Sequence, residues 1–412
     1  MKNNDKEFSQ EIIDKIISTK VKTLDQIETQ DGIIGEHKKF LPPEFKISSI
    51  INMQLQKESD TSKRRNDMCD FKKPYAYLDR RFYQTYNFTT PDHPIRFGYF
   101  KSKSGYTERG KNTEDFQDHY GEYVSSIILR QLGLNSCKVS LGTAFIRRPF
   151  AKERMQIEGC LSHSQTSDNE YLVFLVNLLD GFRKTEEYEK NNYKHIFNTD
   201  PNLVDFEESL LAIKRYFECN DSEDRYADMR KEFFDMCLFD IKFANTDRNN
   251  GNLGVRIAQL DDGSELLEPY PLFDNEEILG FGLASAKGSD EEAENNYRKL
   301  TTTRIVYSDQ DNKRDSNDLF KYLLENYYEE TMQSYARVSR YKLEDLDELF
   351  NRCGDISEGR RSLAKKIFEK KEKDMQLILA RENYKRQQEG KPVVVINSKD
   401  RCLDSKDEQN LE

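Results

Sequence analysis

The sequence predicts an α+β fold in two lobes, a smaller strand-rich one followed by a larger, mainly helical one. Three observations lead there. Between residues 81 and 146, aromatic-rich strand candidates surround a single amphipathic helix pattern. Beyond residue 165, apolar residues recur at helical spacing in one segment after another. Set among those helices is one hairpin, residues 245–274, reading NTDRNNGN, LGVRIAQL, DDGS and ELLEPYPLFD. Aspartate-glycine between two strand-like runs is a strong short-range hairpin signal.

The 412 residues suffice for two or three domains, or for one two-lobed enzyme. With 36% hydrophobic and 34% charged residues, part of the chain is expected to be loop or tail rather than packed core. A net charge of −11 without a long basic run argues against a duplex nucleic-acid binder. The seven cysteines are scattered, odd in number and without a C-x-x-C pair, which suggests reduced thiols in a cytoplasm-like compartment and no structural zinc. No apolar leader opens the chain, and no run approaches the roughly 18 apolar residues of a membrane helix. The expectation is a soluble, cytoplasmic protein without membrane insertion.

In chain order, residues 1–45 are a polar extension with one helix-spaced set, Phe8, Ile12, Ile13, Ile16 and Ile17. Residues 46–80 read as a charged loop. RFYQTYNF and IRFGYFK are strands separated by the turn TTPDHP, and a polar loop then leads to GEYVSSIILRQLGL. In that helix Tyr123, Ile127, Ile128 and Leu132 share a face, and Gly133 ends it. CKVSLGTAFI is a further strand. YLVFLVNLLDGF, apolar almost all round, reads as a buried helix or segment, and Asp200-Pro201 as the start of a helix carrying Leu203, Phe206, Leu210, Ile213 and Phe217. A helix from Asp221 or Ser222, with Met229, Phe233, Cys237 and Ile241 on one face, runs into the hairpin. Residues 275–315 read as a mobile polar loop or an insertion. There, as around Ser102 and Ser104, hydroxyls such as Thr301 to Thr303 are expected to be exposed. Three helices follow, near 317–339, 342–351 and 358–385, and then a polar tail containing VVVI.

The hairpin carries chemistry. Asn252 and Asp274 lie about equally far from the Asp262-Gly263 turn, so pairing should bring both to the open end, roughly 5 Å apart. A carboxylate beside an amide carbonyl suits Mg2+, which prefers hard oxygen ligands and completes its shell with water and phosphate. Asp247, in the loop feeding the hairpin, can face the same ion without ligating it, where it could orient or deprotonate a hydroxyl. Asp and Asn are common in turns; the three residues together, symmetric about this turn, carry the reading. Upstream, Lys101 ends a strand and Glu122 opens the helix behind it. If that helix packs on the sheet the two can pair and hold the ammonium toward a phosphate.

NTDRNNGN followed by PLFDN resembles the catalytic loop and metal motif of HipA-like Ser/Thr kinases, a protein-kinase-like branch that approaches the phosphoinositide kinases in its D-R-x-x-x-N loop. YFK at 99–101, GEYVSSIILRQLGL and CKVSLG are similar to the family's strand lysine, helix glutamate and next strand. The resemblance covers roughly residues 81–385 and implies a protein-kinase-like fold using ATP and Mg2+. It makes Asp247 the catalytic base, Asn252 and Asp274 metal ligands, Lys101 the phosphate contact and Glu122 the residue that orients Lys101. The sequence departs from the family at Asn249, where a histidine is usual, and in lacking a glycine-rich loop before Lys101. TTPDHP and residues 60–73 are both candidates for that loop, and Lys103 is an alternative to Lys101. The implied division is an extension (1–45), an N-lobe (46–165), a C-lobe (166–385) with the catalytic hairpin, and a tail (386–412). The implied partner is a protein carrying serine or threonine, with autophosphorylation a further expectation. A pseudokinase-type binding module and a lipid kinase are the alternatives, the latter set back by the absence of a basic amphipathic segment.

Overall fold

The computed structural model describes residues 10–30, 46–47, 86–90, 93–96, 98–102, 117–147, 154–163, 170–195, 197, 203–260, 262–283, 286–307, 315–353 and 356–396, with backbone only at 28–30, 46–47, 86–102, 142–158, 161, 163, 171, 195 and 259. Helices α1 (Gln10–Ser18) and α2 (Leu24–Gln30) open the described chain. They are not a free extension, because Ile13, Leu24 and Ile27 belong to the main buried core. Gln10 is tied at both ends of its amide to Val395, and Lys22 exchanges hydrogen bonds with Gln131. The charged loop expected at 46–80 lies outside the described residues apart from strand β1 (Lys46–Ile47).

Strands β2 (Tyr86–Thr90) and β3 (His93–Arg96) pair antiparallel with β1 at the edge, the outer residues of TTPDHP joining the strands, and the run IRFGYFK, read as one strand, is divided between β3 and the next strand in a different sheet. Strand β4 (Gly98–Ser102) follows, then helix α3 (Asp118–Leu132), which begins three residues earlier than its apolar pattern and ends at Gly133. Gly133 takes φ +74°, a left-handed cap that glycine adopts at no steric cost. Strands β5 (Val139–Arg147) and β6 (Arg154–His163) complete an antiparallel sheet in the order β4-β6-β5, against which α3 packs. The central strand β6 escaped the sequence reading.

The apolar run from Tyr171 divides into strand β7 (Glu170–Phe174) and helix α4 (Leu175–Phe182). A short, fully apolar stretch satisfies either period, so only the pairing of β7 with the hairpin decides the strand. Helix α5 (Glu186–Lys190) and strand β8 (Val204–Asp205) lead to helix α6 (Phe206–Cys219), whose N-cap is Asp205 and not Asp200. The Asp205 carboxylate accepts the Glu208 N–H, and residues 204–205 are held extended by pairing, so the helix starts after them. Helix α7 (Glu223–Lys242) carries the expected face and more: from Phe233 to its end it is buried on every side. Its acids are paired, Asp235 with Arg337 and Lys231, Asp240 with Arg248.

After α7 come β9 (Gly254–Gln259) and β10 (Glu265–Pro269), in the sheet order β10-β9-β7, so the proline-bearing arm is an edge strand. Residues 275–315 are more than a loop. They supply a 3-10 turn (Ile278–Gly280), helix α8 (Asp290–Leu300) and strand β11 (Ile305–Val306), which pairs in parallel with β8. Ile278, Leu279, Phe281, Leu300 and Ile305 enter the core, and Thr301 and Thr303 are buried at 7% and 3% exposure, against the expectation of exposed hydroxyls. The helix expected at 317–339 is two, α9 (Ser316–Asn326) and α10 (Tyr328–Ser339), broken at Tyr327. Helices α11 (Leu343–Arg352) and α12 (Glu358–Gln388) follow. VVVI docks after α12: Val394 is buried, its N–H donates to the Tyr328 hydroxyl, and its carbonyl accepts from Asn383. The five described cysteines are unbridged, and among the described residues no helix is long and apolar enough to cross a membrane.

Candidate active site

The hairpin register runs from Glu265–Gln259 to Pro269–Val255, and the Tyr270 N–H extends it by one bond to the Gly254 carbonyl. Gly263, at φ +82°, makes the turn. The expectation of Asn252 and Asp274 one strand spacing apart assumed that the ladder reaches the open end. It does not. Pro269 and Pro271 have no N–H to continue it, and the return arm changes partner: the Leu272 N–H donates to the Asn135 carbonyl and the Cys137 N–H to the Leu272 carbonyl. Beyond its last pair the arm is therefore carried toward the residues following α3.

What joins the two sides is Arg248, which is 1% exposed. Its Nε and Nη2 donate to the two carboxylate oxygens of Asp240 at 2.8 and 2.9 Å. Its Nη1 lies 3.2 Å from both the Asn252 and the Phe273 carbonyl oxygens, and Nη2 also reaches the Asn275 amide oxygen. One guanidinium thus spans the 245–252 loop, residues 273–275 and helix α7. Burial alone would lower the Arg248 pKa, but Asp240, with Asp274 and Glu122 further off, raises it above the ordinary value. The cation is fixed.

Glu122 is 2% exposed, and its carboxylate accepts the backbone N–H groups of Asp274 at 2.9 Å and Asn275 at 2.5 Å. Gly121 allows this approach. A Cβ there would stand 2.0 Å from the Glu276 carbonyl oxygen and 2.7 Å from the Phe281 Cβ, so only glycine lets α3 pack this closely. Three non-glycine residues around the site hold positive φ: Ala244 at 51°, Asp274 at 58° and Leu279 at 51°. Such conformations cost of order 1–3 kcal/mol each and persist where surroundings over-determine them. Here the Leu279 N–H is held by the Phe243 carbonyl at 2.7 Å and that of Asp274 by Glu122.

The loop from 245 to 252 is closed by its own amides. Asn249 accepts the Gly251 N–H at 2.8 Å and donates to the Asp247 carbonyl at 3.3 Å, so the residue standing in the family's histidine position organises the turn. Asn252 is 5% exposed and donates through Nδ2 to the Asp247 carbonyl at 3.4 Å, which places Oδ1, the atom a hard cation takes, on the other end of the amide. Asp247 is half-buried and its carboxylate forms an ion pair with Arg304. Lys101, on β4, pairs in register with Cys160 of β6, while its side chain, Lys103 and both candidate phosphate loops' side chains lie outside the described residues. Sequence reasoning therefore named Asp247, Asn252, Asp274 and Glu122, which the fold brings together. It missed Arg248, Asp240, Asn275 and Arg304. Acidic residues inside the otherwise apolar run of α7 were a readable signal for Asp240; nothing local marked Arg304.

No protein-family model matches the sequence, and no curated protein does. Among solved structures, the chain is similar to the proinflammatory kinase CtkA of Helicobacter pylori, with 16% identity, a TM-score of 0.53, and coverage of 76% of this chain and 97% of that one. It also aligns, at 11% identity and a TM-score of 0.40, over 82% of its length and 74% of a chain from the HipA, HipB and operator DNA complex of the Shewanella oneidensis MR-1 toxin-antitoxin system. The chain has the fold of the CtkA kinase.

Proposed function

We propose that the protein is an ATP- and Mg2+-dependent phosphotransferase acting on the serine or threonine hydroxyl of a protein. The observation that carries this reading is one buried arginine, Arg248, holding the Asn252 and Phe273 carbonyls together, with the Asn252 amide on the Asp247 carbonyl and Glu122 gripping the backbone of Asp274 and Asn275. Among the described residues no three His, Cys, Asp or Glu side chains gather to hold a metal. Mg2+ does not need them, since one or two carboxylates with substrate phosphates and water complete its shell. The Asn252 amide oxygen and the Asp274 carboxylate fit that requirement. An ion held there would neutralise charge on the transferred phosphoryl group.

In this reading Asp247 takes the proton of the acceptor hydroxyl, Glu122 fixes the backbone that presents Asp274, and Lys101 contacts the nucleotide phosphates. Strands β4 to β6 with α3 form the smaller lobe, and the chain from β7 onward the larger. The test is MgATP binding by thermal shift, together with transfer of labelled phosphate from ATP to dephosphorylated casein or to the chain itself. Asp247→Asn should keep MgATP binding and lose at least about a hundredfold in transfer, while Asp274→Asn should lose both. A folded protein that neither binds nucleotide nor transfers phosphate with Mg2+ or Mn2+ would refute the proposal.

A further inference from the structure

Two arginines reach the candidate site, and they are built in opposite ways. Every donor group of Arg248 is turned to protein acceptors in a sealed interior. The Arg304 side chain is 39% exposed, and among the described residues its one side-chain partner is the carboxylate of Asp247, engaged through Nη2. An arginine carries five N–H donors in a rigid fork, and the ion pair with the proposed base engages one nitrogen of a side chain that is more than a third exposed.

The backbone beneath it is held. The Arg304 carbonyl accepts the Val204 N–H at 2.9 Å, and the next two residues pair with β8. The Thr303 hydroxyl, 3% exposed, accepts the Ile305 N–H. Arg304 is thus presented from an anchored strand start. Its partner Asp247 is acidic, the neighbouring Thr246 hydroxyl donates to the Glu277 carboxylate, and a nucleotide would add several negative charges there.

We propose that Arg304 is a phosphoryl-contacting residue: one nitrogen orients the Asp247 carboxylate, and the remaining donors take the phosphoryl group in transfer. This rests on the phosphotransferase reading. As the acceptor oxygen attacks the γ-phosphorus its proton passes to Asp247, and the bond between the γ-phosphorus and the β,γ-bridging oxygen breaks. ADP leaves with that electron pair. Charge on the three equatorial oxygens is greatest midway, and a guanidinium fork matches two of them.

The test uses the full chain with Arg304→Ala and Arg304→Lys, each checked by thermal melt. Calorimetry with Mg2+ should show that wild type prefers ATP to ADP and that Arg304→Ala loses the preference while keeping its ADP affinity. With casein as acceptor, kcat should fall about a hundredfold in Arg304→Ala with KM little changed, the loss typical of an electrostatic stabiliser. Added guanidinium ion should restore part of it. Arg304→Lys, lacking the fork, should recover only a fraction, and it carries the test if the alanine variant does not fold. An active wild type matched or exceeded by Arg304→Ala, or an unchanged ATP preference, overturns this inference alone. A wild type that binds neither nucleotide overturns the phosphotransferase reading and this proposal with it.

Discussion

Replacing Arg248 by lysine keeps the charge and removes the fork. The guanidinium serves five acceptors: both oxygens of Asp240, the Asn252 and Phe273 carbonyls, and the Asn275 amide. A lysine ammonium has three donors on one nitrogen, so at least two of these contacts are lost in a site that admits no water-exposed escape. A hydrogen bond to a charged group contributes about 1.5–3 kcal/mol. Asn245 continues to donate to Asp240 at 2.8 Å, which softens the loss. The expected cost of Arg248→Lys is about 3 kcal/mol, and of Arg248→Met about 4–5 kcal/mol, because methionine leaves the buried Asp240 carboxylate uncompensated. The assay is urea unfolding followed by circular dichroism, in which the midpoint should fall at unchanged slope. Exposed Arg381→Lys is the control. MgATP affinity of the folded variant should fall as well, since the lost contacts are those that bind the Asn252 and Phe273 backbones into one site. A cost of Arg248→Lys below about 1 kcal/mol, indistinguishable from the control, would refute the view that this arginine joins the two halves.

Two further predictions concern packing and burial. Gly121→Ala would place a Cβ 2.0 Å from the Glu276 carbonyl oxygen, so α3 must retreat and draw Glu122 away from Asp274 and Asn275. A loss of about 1–3 kcal/mol is expected from overpacking, with a disproportionate loss of MgATP affinity, measured by melts with and without nucleotide; a variant that melts and binds like wild type would contradict it. Lys371 is fully buried, donating to Ser316 and Asn317, and burial lowers its pKa to about 8 against the opposing pull of Asp315 and Asp374. An unfolded lysine keeps its proton to about pH 10.4. Between about pH 8 and 10 the unfolded chain therefore binds more protons and stability rises with pH, whereas below pH 8 the full cost of the buried charge is present. Relative to wild type, Lys371→Met should be most favourable at pH 7 and lose up to about 3 kcal/mol of that advantage by pH 10. Urea midpoints that differ by the same amount at both pH values would show that Lys371 does not titrate this way.

The elements whose periods are unambiguous were legible. α3, α7 and the hairpin turn stand where their apolar spacing and turn residues put them, and the Gly133 and Gly263 positions take the left-handed backbone that glycine serves. The errors have local causes. The run from Tyr171 is apolar at every period, so its division at Phe174 and Leu175 waits on a strand partner some eighty residues away. Asp200-Pro201 is a sound local start signal overridden by the pairing of Val204 and Asp205 with residues 305–306. The polarity of residues 275–315 concealed the five apolar side chains that anchor them.

By itself, the sequence determined the turn, the two arms and the residue types on which the proposed hard-oxygen site rests: Asp247, Asn252 and Asp274 are fixed by position along a chain that must fold back at Asp262-Gly263. Only the tertiary structure decided how those residues meet. The strand ladder stops short of them, and the distance between them is set by a buried guanidinium, by a glutamate from a helix more than a hundred residues earlier, and by a glycine that lets that helix approach. Arg304 reaches Asp247 through a parallel pairing of two-residue strands. Periodicity reports which side of an element is buried, but a hydrogen bond between distant segments leaves no period behind, so these contacts exist only once the chain is packed.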